Sequence, residues 1–180
     1  MNDSVLLPIE PSAQIICALA AGLTMHTTTL DRPLAFESEE ETLPALTAQL
    51  LGLKAVHSEV DLIERLEKGL TIATVHSLQV RANLTDAETY QLIAPRRTLN
   101  RREASGQLLS SEEADKTVRV ARVTARAQQV FAGQPAYAAA WLREPKSSLG
   151  DRTPLQLLAT ESGALVVEEQ LAGIEHGMFG

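Results

Sequence analysis

From Ser58 onward, apolar side chains return every three or four residues, and helix-start and helix-stop residues separate the runs. This is the pattern of short amphipathic helices rather than strands. Ser58 and Gly69 bracket a helix over about 59–68. Ile72, Val75, Leu78 and Ala82 share one stripe and predict a second over about 71–81, closed by Asn83. Thr85 and Glu88 have the spacing of a capping box, in which the hydroxyl takes the third amide and the carboxylate takes the cap's own, so a helix should open there and run through Ile93. Pro95 suits a helix start, where its missing N–H would have had no partner, and opens PRRTLNRREA before the break at Gly106. Ser110 or Ser111 then caps a longer helix over about 112–132, ended by Gly133, and Pro135 begins the segment leading into Trp141.

Thr153, Pro154 and Gln156 repeat the start chemistry and predict a short helix whose Leu155, Leu157 and Leu158 must dock on something. Ala164, Val167, Leu171 and Ile174 then repeat along one face of a helix expected over about 163–176. Glu168, Glu169 and Glu175 lie off that stripe and are expected in water. After Gly177 the chain ends in Met178, Phe179 and Gly180, an apolar tip.

Residues 1–53 are less regular. Three prolines between Pro8 and Pro33, a threonine run at Thr27–Thr29 and an acidic cluster at Glu37, Glu39, Glu40 and Glu41 read as an extension, with short helices near 12–23 and 42–51. The apolar run Ile15–Leu23 falls well short of the roughly 20 residues a bilayer span needs. Asp3 and Glu10 precede it in place of the basic flank of a signal peptide, so neither membrane insertion nor secretion is expected.

Composition supports an all-α fold. Hydrophobic residues make up 44% of the chain and aromatics only 3%, so the core must be aliphatic and the aromatic strand formers are scarce. The single Cys17 excludes an internal disulfide and a thiolate metal site, and a reducing cytoplasm is the natural compartment. A formal net charge of -7 argues against a uniformly basic nucleic-acid binder. The charge is nonetheless uneven, with Arg96, Arg97, Arg101, Arg102, Lys116, Arg119, Arg122 and Arg126 gathered in the middle.

Two short helices with a tight connection, the second rich in arginine, are the sequence form of a helix-turn-helix reader. On PRRTLNRREA, Leu99 should face inward, while Arg97 and Arg101 share one face and Arg96 and Asn100 another. Arginine can fork onto guanine edges and asparagine onto adenine, so Arg96, Arg97, Thr98, Asn100, Arg101 and Arg102 are the candidate DNA-binding set. The alternative is a solvated arginine-rich helix. Lys116, Arg119, Arg122 and Arg126 fall within roughly a third of the circumference of the long helix, opposite a packing face of Ala114, Val118, Ala121 and Ala125. Such a stripe can hold DNA phosphate, meet an acidic partner, or simply be solvated with local Glu112–Lys116 pairing.

Catalytic signals are absent. There is no GxxxxGK phosphate loop and no GxSxG elbow, and His26, His57, His76 and His176 have no ligand-like spacing. No catalytic residue, metal ligand or cofactor is assigned, and an enzyme built on a carboxylate such as Glu112 or Glu113 is the weakest reading.

The segment from Trp141 to Phe179 resembles the C-terminal toxin-binding domain of Xre-type antitoxins, the ParS and MbcA class that pairs with RES-domain or related toxins. The resemblance rests on Trp141-Leu142, Pro145, Leu149-Gly150, Thr153-Pro154-Leu155, Leu157-Leu158, Gly163-Ala164, Val167-Glu168, Leu171 and Ile174-Glu175-His176-Gly177. Asp151 departs from it, standing where such sequences commonly carry a second glycine. The Arg-Arg-Thr-Leu-x-Arg-Arg stretch is similar to the recognition-helix position of their Xre-like domain.

The resemblance implies a three-part chain: an extension over 1–53, an Xre-like helix-turn-helix domain over 54–132, and a toxin-binding domain over 133–180. It further implies an antitoxin that sterically inhibits a RES-domain, NAD-degrading toxin and represses its own operon as a homodimer and in a higher toxin–antitoxin complex. Trp141, Lys146, Leu149, Gly150, Arg152, Glu168, Glu175, His176, Met178 and Phe179 are the residues expected to meet toxin. The alternative is a dimeric DNA-binding repressor without a toxin partner.

Overall fold

In a computed structural model of the chain, residues 42–54 and 56–177 are described, and they fall within one unit, 38–180. Nine α-helices account for most of these residues. The helix expected near 12–23, Cys17, His26, the acidic cluster and the Met178–Phe179 tip lie outside the described residues.

Helix α1 (Leu43–Leu50) starts on Thr42, whose hydroxyl accepts the Ala45 amide. Helix α2 (Glu59–Glu67) carries a complete Ser58/Asp61 capping box, and α3 (Ile72–Arg81) runs to the corner at Asn83, which takes a left-handed φ of 51°. Helix α4 (Asp86–Leu92) opens with the expected Thr85/Glu88 box. Only Ile93, Ala94 and Pro95 separate it from α5 (Arg96–Ser105), which ends on Gly106 in the left-handed region, as a helix C-terminus favours. Ser110, not Ser111, caps α6 (Ser111–Val130) through a box with Glu113. Helix α7 (Pro135–Arg143) leads through a single 3-10 turn, Ser147–Leu149, to α8 (Pro154–Leu157), which has the Thr153/Gln156 box, and then to α9 (Glu161–Glu175). Among the described residues no strand forms, only the isolated Lys146–Arg152 bridge, so the fold is all-α.

The last helix begins two residues earlier than its apolar stripe implies. Thr160 is its cap, accepting the Gly163 amide at 3.1 Å, so Gly163 sits inside the first turn rather than opening the helix. The glycine is there because α8 ends against it: a Cβ at this position would lie 2.1 Å from the Leu157 carbonyl oxygen. Any side chain would push the two helices apart.

Helix α6 organises everything else. Helices α1, α3, α4, α7 and α9 all pack on it. The expected face of Ala114, Val118, Ala121 and Ala125 is therefore only partly right: Ala121 and Ala125 are buried and Ala114 and Val118 half-buried, while Thr117, Val120, Val123, Thr124 and Ala127 are buried too. A helix enclosed on several sides cannot keep a single apolar stripe, and its alanines let neighbours approach closely. One continuous cluster runs from Leu50 through Leu78, Val120 and Val123 to Leu158, Val167 and Leu171. Each large buried aliphatic side chain in it contributes roughly 1.5–3 kcal/mol.

Candidate nucleic-acid and partner interfaces

The α4–turn–α5 unit has the form of a helix-turn-helix, and the sequence explains its shape. Leu92, Ile93, Ala94 and Leu99 are buried and anchor both helices to the core, leaving the rest of α5 outward. Arg96, Arg97, Asn100 and Arg101 are exposed and Thr98 is half-buried. No ion pair or hydrogen bond engages the three exposed arginines among the described residues. Four unengaged donors on one short helix form a surface suited to anionic, hydrogen-bonding ligands such as a DNA groove.

Arg102 is placed differently. Its side chain is only 15% exposed, its Nε lies 2.5 Å from Glu113 Oε2, and its Nη1 donates to the Leu108 carbonyl at 2.8 Å. The Nε–H approaches the carboxylate obliquely, so the contact is an ion pair rather than a well-aligned hydrogen bond. It ties the end of α5 to the start of α6. Burial pushes the Glu113 carboxyl up, but the Ser110 amide and the Arg102 guanidinium outweigh it and hold the group below its ordinary range.

The basic stripe of α6 is a correction to the sequence reading. It is neither a solvated face nor a free phosphate site, because α9 lies along it with acidic residues in register. Arg119 Nε donates to Glu161 at 2.6 Å, Arg122 reaches both Glu161 at 3.1 Å and Glu168 at 2.9 Å, and Arg126 pairs with Glu175 at 2.5 Å. Lys116 does pair locally with Glu112 at 2.6 Å, as the spacing suggests. Glu168 and Glu175 are thus engaged rather than simply wet, while Glu169 is exposed. The Arg119 and Arg122 hydrogen bonds lower the Glu161 pKa.

The loop after α7 is compact. Trp141 is half-buried, its ring 6.0 Å from that of Phe131, and the Lys146 ammonium lies 5.5 Å from the indole centre, a cation–π distance. Lys146 also pairs with Glu144. Leu149 is buried beneath the turn, and Gly150 and Asp151 take φ of 65° and 58°. Position 151 therefore needs the left-handed backbone, which aspartate tolerates better than most residues but less readily than glycine. Gly150, Arg152 and the C-cap residue His176 are exposed, and the Arg152 carbonyl accepts the Lys146 amide at 3.1 Å.

Sequence reasoning missed Arg143. At the end of α7, it forks onto Glu88 of α4 at 2.8 and 2.9 Å and donates to the Asn83 carbonyl at 2.7 Å. The capping role of Glu88 was readable from local spacing, whereas a second partner 55 residues away leaves no sequence signal.

The description "Antitoxin Xre-like helix-turn-helix domain" matches residues 61–122, and "Antitoxin Xre/MbcA/ParS C-terminal toxin-binding domain" matches residues 126–177. An "Antitoxin Xre" of Yersinia enterocolitica is 32% identical over 130 residues, covering 72% of this chain and 87% of the relative. The chain belongs to the Xre-type antitoxin family. A second "Antitoxin Xre", from Pseudomonas putida, is 36% identical over 71% of this chain and 79% of its own length. A "Prs ADP-ribosylating antitoxin" of Sphingobium sp. is 31% identical over 46% of this chain and 57% of its own length. The chain is thus an antitoxin of a toxin–antitoxin system with a helix-turn-helix domain. The exposed α5 arginines lie within the first matched region; the Trp141 loop and α9 lie within the second. Among the described residues no helix is long and apolar enough to cross a membrane.

Proposed function

We propose that this antitoxin binds and sterically inhibits a RES-domain toxin that degrades NAD, and that it represses its own operon. The observation that carries the reading is the division of one chain into two family-matched surfaces: an unengaged arginine face on α5, and a preorganised loop beside α9. An NAD-consuming toxin fits the name of the Sphingobium relative, since ADP-ribosylation cleaves NAD. Residues 54–132 form the proposed DNA-reading part and 133–180 the proposed toxin-binding part, with 1–53 preceding them.

Toxin contact falls first to the exposed or half-exposed groups Trp141, Lys146, Gly150, Arg152 and His176, with buried Leu149 shaping the turn from beneath. Glu168 and Glu175 would join them only by giving up their α6 arginines. Met178 and Phe179, outside the described residues, are proposed as further toxin contacts. A rigid face of this kind inhibits by occlusion, a few anchors carrying most of the affinity. Arg96, Arg97, Thr98, Asn100 and Arg101 would read the operator, Arg102 would hold their helix in place, and a homodimer would present two such helices to half-sites one helical turn apart.

The test is co-expression with the product of the adjacent gene. The antitoxin should copurify with it and prevent cellular NAD loss, and the charge reversals Lys146→Glu and Arg152→Glu should weaken both without altering DNA binding. Copurification without any effect on NAD would remove the RES assignment. A protein that binds its upstream DNA and no neighbour's product would be the plain repressor instead.

A further inference from the structure

Arg143 belongs to the region matched as toxin-binding, yet everything it grips outside its own helix belongs to the DNA-reading part. The grip is dense. Nε and Nη2 donate to the two Glu88 oxygens at 2.8 and 2.9 Å, Nη2 donates again to the Asn83 carbonyl at 2.7 Å, and Nη1 returns to the Ala139 carbonyl of α7 at 3.1 Å. A guanidinium has five N–H donors in a fixed fork, so little freedom remains.

The two acceptors sit where α4 is oriented. Asn83 is the left-handed residue at the corner between α3 and α4. Glu88 closes the capping box of α4, its Oε2 accepting the Thr85 amide at 2.7 Å while also accepting Arg143. Both lie at or just before the first turn of the helix that leads, after three residues, into α5. Burial raises the Glu88 pKa, but the Arg143 fork and the Thr85 amide outweigh it, so the carboxylate stays charged under the guanidinium.

We infer that Arg143 is a positioning residue for DNA reading: the toxin-binding part sets the angle of α4, and through the short Ile93–Pro95 link the presentation of the arginine face of α5. The inference rests on the DNA-reading role proposed above. It also places this control at the residue immediately before the loop assigned to the toxin, so that operator reading depends on an intact C-terminal part even where that part touches no DNA.

The experiment compares Arg143→Met and Arg143→Lys with wild type in the full chain. Amide hydrogen exchange without DNA should rise about tenfold or more across α4 and α5 in Arg143→Met, with α9 unchanged and a partial return in Arg143→Lys. Affinity for the DNA fragment upstream of the gene should fall about tenfold in Arg143→Met at a temperature where circular dichroism shows an intact fold, and recover in part in Arg143→Lys. Exchange rising equally in α9 would mark a merely structural contact and overturn the inference, as would unchanged exchange in α4 and α5 or unchanged DNA affinity in Arg143→Met. Wild type that fails to bind the fragment removes the DNA-reading role itself, an outcome separate from failure of the variant alone.

Discussion

Two arginine clusters, one ending at Arg101 and the next beginning at Arg119, end in opposite circumstances. On α5, Arg96, Arg97 and Arg101 are exposed with no protein partner among the described residues. On α6, Arg119, Arg122 and Arg126 are taken up by Glu161, Glu168 and Glu175 of α9. Helical spacing makes both clusters look alike. What separates them is whether another part of the chain brings acidic groups within reach. The α6 stripe serves to dock the C-terminal helix, and only the α5 cluster is left to meet something outside.

The sharpest way to break this contrast is to attack what holds α9 on α6. Leu171 is fully inaccessible within the shared core. Leu171→Ala should cost about 2–5 kcal/mol in urea unfolding. A loss under 1 kcal/mol would mean that α9 is not integral to the core, and that its ion pairs with α6 are incidental.

A smaller effect should discriminate the two clusters directly. Arg97→Ala and Arg101→Ala should each weaken operator binding by about 1–3 kcal/mol while leaving thermal stability unchanged. Arg119→Ala, measured beside them, should do the reverse: a lower melting temperature at unchanged operator affinity. Equal loss of DNA affinity from both helices would restore the α6 stripe as a phosphate surface.

The smallest effect is a pH dependence. Glu88, Glu113 and Glu161 all titrate below the ordinary value of 4.5. A depressed carboxylate contributes stability that is fully present above its unfolded pKa and is lost as pH falls through the folded one. The melting temperature should therefore be flat from neutrality to about pH 5 and fall below about pH 4.5. Glu161→Gln should blunt part of that fall, and a melting temperature that rises on acidification would contradict the ion-pair picture.

Much of the fold was legible because it is written locally. Ser58, Thr85, Ser110 and Thr153 each supply a cap to amides within three residues, so no distant information is needed to place those helix starts. The start of α9 was placed at Gly163, two residues late, because Thr160 has no carboxylate three residues on to complete a box. The reason for Gly163, the Leu157 carbonyl, is a packing fact. The candidate DNA face was legible as a residue set, but the separation of Arg102 from its neighbours was not, since it depends on where α6 begins relative to α5.

By itself the sequence determined which stretches are helical, that the core is aliphatic, and which chemical groups are on offer; these follow from caps, periodicity and composition over a few residues. Only the tertiary structure decided which charges are spent inside the protein. Whether Arg126 or Arg97 faces water depends on what folding places against it. Arg126 meets Glu175, 49 residues along the chain, because burial of the apolar stripe of α9 against α6 brings their charged flanks together, a register that residue spacing along either helix alone does not encode.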